Sequence, residues 1–235
     1  MKTHPYGPSR PAHRRRGFTL VELLVVVAII GVLSTLVAGA VGGVRESARR
    51  AQCATRLRGL ALGVRLWADE HRGQLPRSSH SAAAYRERGW GREILPYLGR
   101  PANPKTAEWR EILGTELRCP KHEPTQPTHW SYGMNVYFEL NPDFDDYAGS
   151  PQTWRGFANL PRPTRTVLLA ELSGGGADHV MAHFWAPGAN PTEMDEHRHG
   201  GRVAFAFCDG HVEWLSIRQI YDPARGVDRW HPDGG

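Results

Sequence analysis

Apolar residues dominate one stretch close to the start of the chain. Residues 18–44 are almost all apolar, and Glu22 is the one charged residue among them. A run of this length predicts a helix that can cross a membrane, because each residue adds about 1.5 Å and the hydrocarbon core is about 30 Å thick. A carboxylate in such a segment is costly, so Glu22 needs either a partner or a function.

A helical period of three to four residues continues beyond this stretch. Between residues 45 and 72, apolar and aromatic side chains recur at that spacing, which predicts an amphipathic second half of the same helix. The members of this face are Leu57, Leu60, Ala61, Val64, Trp67, Ala68 and His71. Gly73 and Pro76 follow and predict the end of the helix.

The remaining chain contains shorter elements joined by loops. Residues 90–98 and 106–113 have the pattern of two short helices. Residues 166–172 are nearly all apolar, which predicts a buried strand, and residues 178–186 are the candidate for a second strand. Together with the long helix, these elements predict an α+β fold in which a small antiparallel sheet packs against the helix.

The clearest turn signal lies near the C-terminus. Two strand-like runs, residues 202–208 and 211–216, flank Asp209-Gly210, a favoured pair for a two-residue hairpin turn because glycine tolerates positive φ. Counting outward from that turn places the large side chains on one face, which we expect to pack on the amphipathic helix. The predicted cross-strand pairs are Phe207 with Val212 and Phe205 with Trp214, and Val203 shares their face.

The positive charge of the chain comes from its first residues. The formal net charge is +5, a value that can indicate nucleic-acid binding. Residues 1–17 contain no acidic side chain and five basic ones, so the rest of the chain is formally neutral. These basic residues are Lys2, Arg10, Arg14, Arg15 and Arg16. We therefore expect no nucleic-acid partner.

The start of the apolar run admits four interpretations. A plain membrane anchor needs only the run itself. A secretory signal would use the basic residues 14–16 and the small residues Ala38-Gly39-Ala40. A twin-arginine signal would begin at Arg15-Arg16. None of these three accounts for a glycine and a phenylalanine followed by a lone glutamate.

The fourth interpretation depends on residues 16–22, RGFTLVE, which resemble the site cut by prepilin peptidase. The resemblance implies cleavage between Gly17 and Phe18 and methylation of the new amino group of Phe18. It also implies that Glu22 pairs with the Phe18 amine of a neighbouring subunit, because two buried charges are tolerated only as a pair. In an isolated chain, Glu22 would instead extend toward the lipid headgroups.

The C-terminal half resembles a second family. His199, nine further residues and Asp209-Gly210 match the H-x9-DG signature of bacterial proteins with prepilin-type N-termini. Three other segments fit the same family, namely Cys119-Pro120, Tyr132-Gly133-Met134-Asn135 and residues 166–171. The resemblance implies an exported, pilin-like or pseudopilin-like protein and leaves its molecular task open.

Two groups of side chains have the chemistry of metal ligands. A histidine-rich group would suit zinc if its backbone were extended, and it comprises His197, His199, Asp209 and His211. An acidic loop carries oxygens that suit calcium, which related pseudopilins bind, and it contains Asp143, Asp145 and Asp146. We expect solvated or turn-forming residues in both places and no cofactor, with calcium as the alternative.

Reactive residues add little to this picture. No nucleophile with a neighbouring base is evident, so we expect no catalytic residue and no enzyme. An exported domain permits a disulfide, but three cysteines allow three pairings. These cysteines are Cys53, Cys119 and Cys208, and the sequence does not choose among their pairings.

These patterns predict four parts: a leader at residues 1–17, a transmembrane half-helix at 18–44, an amphipathic half-helix at 45–75 and an exported globular domain at 76–235. Basic residues lie on both sides of the span, so their count alone does not orient it. The resemblance to prepilins implies a cytoplasmic N-terminus and a periplasmic C-terminal domain.

The predicted function is that of a pilin-like structural subunit of the inner membrane. Its expected partners are prepilin peptidase and other pilin-like subunits, with which it would form a pilus or a type II secretion pseudopilus in the periplasm or at the cell surface. Two alternatives remain: an anchored exported binding domain that does not polymerise, and an anchored metal-dependent hydrolase that uses the histidine-rich group.

Overall fold

A computed structural model describes residues 18–123, 126, 128–139, 154–175, 177–185, 191 and 193–234, with only the backbone described at Gly39 and Ala40. Gly17 and the acidic loop with Asp143, Asp145 and Asp146 lie outside these residues. The described chain up to Glu46 belongs to one compact unit, and Ser47–Gly235 forms a second.

Four of the helices precede the first strand, and the fifth helix follows the main sheet. The helices are α1 (Leu20–Glu70), α2 (Ser79–Ala82), α3 (Trp90–Glu93), α4 (Thr106–Thr115) and α5 (Ile217–Ile220). The strands are β1 (Tyr132–Asn135), β2 (Val167–Glu171), β3 (His179–Val180), β4 (Val203–Phe207), β5 (Val212–Leu215), β6 (Tyr221–Asp222) and β7 (Val227–Asp228). Short 3-10 helices occupy Leu95–Leu98, Val136–Glu139, Phe157–Asn159, Ala182–Phe184 and Pro223–Arg225. The α+β class is therefore confirmed.

The first unit exposes its apolar side chains. Exposure ranges from 44% at Val26 to 78% at Leu20 among the large apolar residues up to Val44, apart from Val41, which is partly buried. Among the described residues, α1 is the helix long and apolar enough to cross a membrane. An apolar surface of this extent is stable in lipid or against other apolar helices, but not in water.

In the second unit, α1 buries the face that the sequence predicts. Six of the seven predicted residues are buried, namely Leu57, Leu60, Ala61, Val64, Trp67 and Ala68. His71 is exposed instead, and its ring stacks on Trp67 with 3.8 Å between the ring centroids. The helix ends as predicted, because Gly73 adopts a φ of +75° and its N–H donates to the Ala68 carbonyl at 2.8 Å.

The main sheet has the strand order β3-β1-β2-β4-β5. It is a mixed sheet, so the prediction of an antiparallel sheet was wrong at one edge, where β3 runs parallel to β1. The reason is the direction of the preceding strand. Glu171 at the end of β2 lies opposite Tyr132 at the start of β1. The chain leaves β2 at that end of the sheet and returns on the far side of β1, so β3 runs in the same direction as β1.

Most of the other predicted elements are present. The short helices at 90–98 and 106–113 correspond to α3 with Leu95–Leu98 and to α4, and the buried strand at 166–172 corresponds to β2. The segment 178–186 forms a strand only at His179–Val180. β1 was not predicted as a strand, because its four residues include Gly133 and Asn135, which are rare in strands.

The C-terminal hairpin is present, but its predicted register was wrong by one residue. The observed partners are Ala206 with Val212, Phe205 with Glu213 and Ala204 with Trp214. The loop has three residues rather than two, because the Phe207 N–H donates to the His211 carbonyl at 2.9 Å. Gly210 closes this loop with a φ of +95°, as in a type I turn followed by a left-handed residue.

The register decides which side of the sheet meets α1. Ala204 and Ala206 belong to the core cluster that contains the buried face of α1, together with Val212 and Trp214 at its margin. The larger residues of β4 face the opposite cluster around Trp230, and these are Val203, Phe205 and Phe207. A shift of one residue exchanges the two faces of a strand, so the predicted packing of the phenylalanines on the helix was wrong.

Candidate functional site

The described part of the predicted processing segment lies at the N-terminus of α1. Thr19 and Glu22 form a reciprocal pair there: the Glu22 carboxylate accepts hydrogen bonds from the Thr19 N–H at 2.9 Å and from its hydroxyl at 2.8 Å. The Glu22 N–H donates to the Thr19 hydroxyl oxygen at 3.2 Å. This arrangement is a capping box. Glu22 therefore has a local structural role within one chain that the sequence analysis did not anticipate.

The residues of the H-x9-DG motif lie at opposite ends of β4. His199 precedes the strand and is buried, whereas Asp209 and Gly210 follow it in the exposed hairpin loop. The five residues of β4 alone span about 16 Å. Asp209 serves the loop, because its Oδ1 accepts the His211 N–H at 3.1 Å. The motif therefore combines a buried histidine and a turn rather than forming one site.

The histidine-rich group considered as a zinc site does not assemble. Residues 197–200 form a turn rather than an extended segment, so His197 is exposed while His199 is buried. His211 lies beside Asp209 at the other end of β4, with 2.6 Å between His211 Nδ1 and Asp209 Oδ1. These positions separate the members that zinc would have to join.

A different set of residues surrounds His199. Cys53 from α1, Cys119 after α4, Glu171 at the end of β2 and His199 before β4 are all 0% exposed. One ligand atom of each, namely the two Sγ atoms, a carboxylate oxygen and an imidazole nitrogen, lies within 4.8 Å of the others. We call these four residues the Cys-Cys-Glu-His cluster.

Two atoms of the cluster approach the same nitrogen of His199. His199 Nε2 lies 3.2 Å from Cys119 Sγ and 3.1 Å from Glu171 Oε1. A catalytic triad would place the nucleophile and the carboxylate on opposite nitrogens of the imidazole ring. Here both approach the same nitrogen, so the cluster lacks the geometry of a proton relay.

Polar groups outside the cluster hold its members in place. The Arg198 guanidinium donates from NH1 to Glu171 Oε1 at 3.0 Å and from NH2 to the Leu172 carbonyl at 2.8 Å. The Tyr132 hydroxyl lies 3.3 Å from Cys53 Sγ. Glu171 Oε2 is buried and accepts no hydrogen bond from any described residue.

The cluster perturbs the ionisation of its members. The Cys53 hydrogen bond, reinforced by His199, lowers the pKa of Cys119 to about 6. Burial opposes ionisation of His199, but Cys119 and Glu171 outweigh it and raise the pKa of His199 to about 9. Burial likewise opposes ionisation of Glu171, yet contacts with His199, Cys119 and Arg198 lower its pKa to about 2. These directions favour a negative charge on Cys119 and Glu171.

Cys208 stands apart from the cluster. It is buried in the hairpin loop, where desolvation raises the pKa of its thiol well above the ordinary value. All three cysteines have free thiols. The sequence analysis left three disulfide pairings open, and the fold brings together only the sulfurs of Cys53 and Cys119 within the cluster.

Sequence reasoning named His199 but missed its neighbours. A usable signal was nevertheless present, because each segment that carried the family resemblance contributes one polar residue here. Cys119-Pro120 supplies Cys119, the segment of β1 supplies Tyr132, and the β2 segment supplies Glu171. Cys53 had no such signal, since it lies within a helical pattern.

Two models of known protein families match parts of the chain. The model of the prokaryotic N-terminal methylation motif matches residues 12–38, which defines the chain as a prepilin-type protein. A second model, described as a protein of unknown function (DUF1559), matches residues 43–166, which is more than half of the chain. The protein belongs to this DUF1559 family. No curated protein and no solved structure matches the chain.

Proposed function

We propose that the protein is a pilin-like structural subunit. In this proposal, prepilin peptidase cuts between Gly17 and Phe18 and methylates Phe18, and α1 holds the mature chain in the inner membrane. The second unit lies in the periplasm, and neighbouring chains assemble through their apolar helices into a pilus or a type II secretion pseudopilus. The methylation motif at residues 12–38, which includes the start of an exposed apolar helix, is the observation that carries the proposal.

The exposed surface of the first unit supports a role in assembly. A single helix in lipid needs only apolar side chains, and α1 supplies them along its first half. Glu22 does not fit that minimal requirement, because a carboxylate near lipid is costly. In an assembled bundle it would pair with the Phe18 amine of the next subunit, which removes two unpaired charges together.

The capping box offers a second explanation for Glu22. A lost N-terminal cap costs about 1 kcal/mol, whereas an unpaired buried charge costs several kcal/mol. The two roles also differ in chemistry. Capping needs an acceptor atom, which glutamine also carries, whereas pairing with the amine needs the negative charge.

The proposed function is not enzymatic. The predicted catalytic alternative required the histidine-rich group, whose members lie at opposite ends of β4. The second alternative, an anchored binding domain that does not polymerise, shares the processing step and differs only in assembly. The experiments on processing and on assembly therefore address separate parts of the proposal.

The first experiment determines the mature N-terminus. The chain is expressed with a prepilin peptidase, and its N-terminal peptide is analysed by mass spectrometry. We expect the chain to begin at Phe18 with one added methyl group, and Gly17→Leu to block cleavage. Gly31→Leu is the matched control, because it changes a glycine inside the span and should be cleaved normally. A mature chain that begins at Val41 would indicate an ordinary signal peptidase and contradict the proposal.

The second experiment separates charge pairing from capping. Glu22→Ala removes the charge and the cap, whereas Glu22→Gln removes the charge and keeps an acceptor for Thr19. We expect both variants to be inserted and cleaved, and both to give few filaments or cross-linked oligomers in cells with a type II secretion system. Normal assembly of Glu22→Gln alone would assign Glu22 to capping. Normal assembly of both variants would refute a role for Glu22 in assembly.

A further inference from the structure

We propose that the Cys-Cys-Glu-His cluster is a binding site for a divalent transition-metal ion of the zinc type. The site would be structural and would join α1 to the sheet. This inference is independent of filament assembly, because it concerns only the second unit. It replaces the expectation of a metal-free protein drawn from the sequence alone.

The donor set is the first argument. Zinc in proteins is bound by cysteine sulfur, histidine nitrogen and carboxylate oxygen, and structural sites have four protein ligands and no open position. Cys53, Cys119, Glu171 and His199 supply four such donors, and all four residues are fully buried. Hard ions such as calcium and magnesium prefer sets made only of oxygen, so the two sulfurs disfavour them.

The spacing of the donor atoms is the second argument. Ligand atoms around a tetrahedral zinc ion lie about 3.3–3.8 Å apart, given bond lengths of about 2.0–2.3 Å. The four donors here lie within 4.8 Å of one another, and two of the separations are 3.1 and 3.2 Å. Changes of a few tenths of an ångström to about 1 Å in these separations would bring all four donors to the tetrahedral spacing.

The convergence on one nitrogen is the third argument. Each imidazole nitrogen carries either one proton or one lone pair, in the neutral ring and in the protonated ring alike, so it can make one good hydrogen bond. His199 Nε2 nevertheless has Cys119 Sγ and Glu171 Oε1 at hydrogen-bond distance. A cation between the three atoms would satisfy the lone pairs of all of them at once. Glu171 Oε2 is buried and accepts no hydrogen bond from a described residue, so the same carboxylate has a second oxygen with an unused lone pair.

The charge around the cluster is the fourth argument. Two thiolates, one carboxylate and a divalent ion carry a net charge of about −1, which is costly to bury without compensation. Arg198 supplies the opposite charge, because its guanidinium lies 3.0 Å from Glu171 Oε1 and is itself almost fully buried. Metal-ligating carboxylates typically accept hydrogen bonds of this kind from the residues that surround the ligands. The Tyr132 hydroxyl makes a comparable contact with Cys53 Sγ.

The position of the four ligands indicates what the ion would do. They come from α1, the loop after α4, the end of β2 and the turn before β4, which are far apart in the sequence. A bound ion would therefore cross-link the helix to the sheet. Binding needs both cysteines as thiolates and His199 as a neutral ring, so it would displace the protons that these three groups hold, and its free energy would add to the stability of the folded state.

The experiment measures metal content and ligand dependence on the full chain in detergent, purified under reducing conditions. We expect elemental mass spectrometry to find about one zinc ion per chain. Cobalt added after removal of the zinc should give a thiolate-to-cobalt charge-transfer band. Cys53→Ser, Glu171→Gln and His199→Ala should each lower the metal content several-fold. Cys208→Ser is the matched control and should keep it, because Cys208 is buried outside the cluster.

Several outcomes would overturn the proposal. The wild-type chain could contain no stoichiometric metal and give no charge-transfer band with cobalt, a result that needs no variant and so is unaffected by misfolding. Metal could also persist in all three ligand variants. Finally, alkylation could show that Cys53 and Cys119 form a disulfide in the native chain, since a disulfide leaves no thiolate for a metal. Retained metal in Cys208→Ser, together with its loss from the ligand variants, supports the proposal.

Discussion

Gly210 provides a direct test of the three-residue hairpin loop. Its φ is +95°, and an added Cβ would meet no heavy atom within 4 Å. Substitution at this position therefore changes the energy of the backbone alone. A non-glycine residue held at positive φ lowers the free energy of unfolding by about 1–3 kcal/mol. We expect the upper part of this range for Gly210→Val, since valine is β-branched, and less than about 1 kcal/mol for Gly210→Asn, because asparagine tolerates this region.

The measurement is urea unfolding of the fragment Ser47–Gly235, which we expect to be soluble, and the signal is tryptophan fluorescence. All eight tryptophans lie in this unit, so the signal reports on its folding. If the urea dependence is about 2 kcal/mol per molar, a loss of about 2 kcal/mol lowers the midpoint by about 1 M. The Gly210→Asn midpoint should stay within about half that distance of the wild-type value.

Two results would refute this reasoning. Equal losses in Gly210→Val and Gly210→Asn would mean that the cost is steric, which contradicts the open space around the residue. An unchanged midpoint in Gly210→Val would mean that residue 210 does not occupy positive φ. The loop would then have the two-residue geometry that the sequence alone suggested.

Three further predictions concern the second unit. The fragment Ser47–Gly235 should be soluble and monomeric by light scattering, because most of the exposed large apolar residues belong to the first unit; aggregation would contradict this division. Burial lowers the pKa of His122 to about 4, so the unfolded state binds a proton first as the pH falls below about 6.5 and stability declines toward pH 4. His122→Gln should lose stability less steeply over that interval in urea titrations, and an unchanged pH dependence would refute the assignment. Gly133→Ala should cost about 1–3 kcal/mol of stability, because its Cβ would lie 2.8 Å from Leu172. Gly59→Ala should instead stabilise the protein by about 0.4–1 kcal/mol, because no heavy atom lies within 4 Å of the added Cβ on α1. Similar effects of the two changes would contradict the packing around β1.

The long helix shows how much local sequence can specify. Its apolar run, its amphipathic face and its end at Gly73 each depend on residues within one or two turns of the helix. These features were predicted and confirmed, apart from His71. That residue has the right spacing but lies in the last turn, where the ring stacks on Trp67 rather than entering the core.

The hairpin shows where the pattern becomes insufficient. Alternation identifies the two faces of a strand, but it cannot say which face meets the helix when both are buried, as in β4. The loop length then decides, and Cys208 could belong either to the strand or to the loop. The structure places the small Ala204 and Ala206 toward α1, where they allow close approach, and the phenylalanines toward Trp230.

The sequence by itself determined the class of the protein, because the methylation motif and the apolar helix are continuous stretches whose chemistry depends on neighbouring residues. The Cys-Cys-Glu-His cluster was decided only by the tertiary structure. Glu171 and His199 are 28 residues apart, and they meet because β2 and β4 pair, while α1 brings Cys53 to them by packing on the same core. No local pattern encodes such a meeting, since it depends on the register of the strands and on which face of the sheet the helix covers.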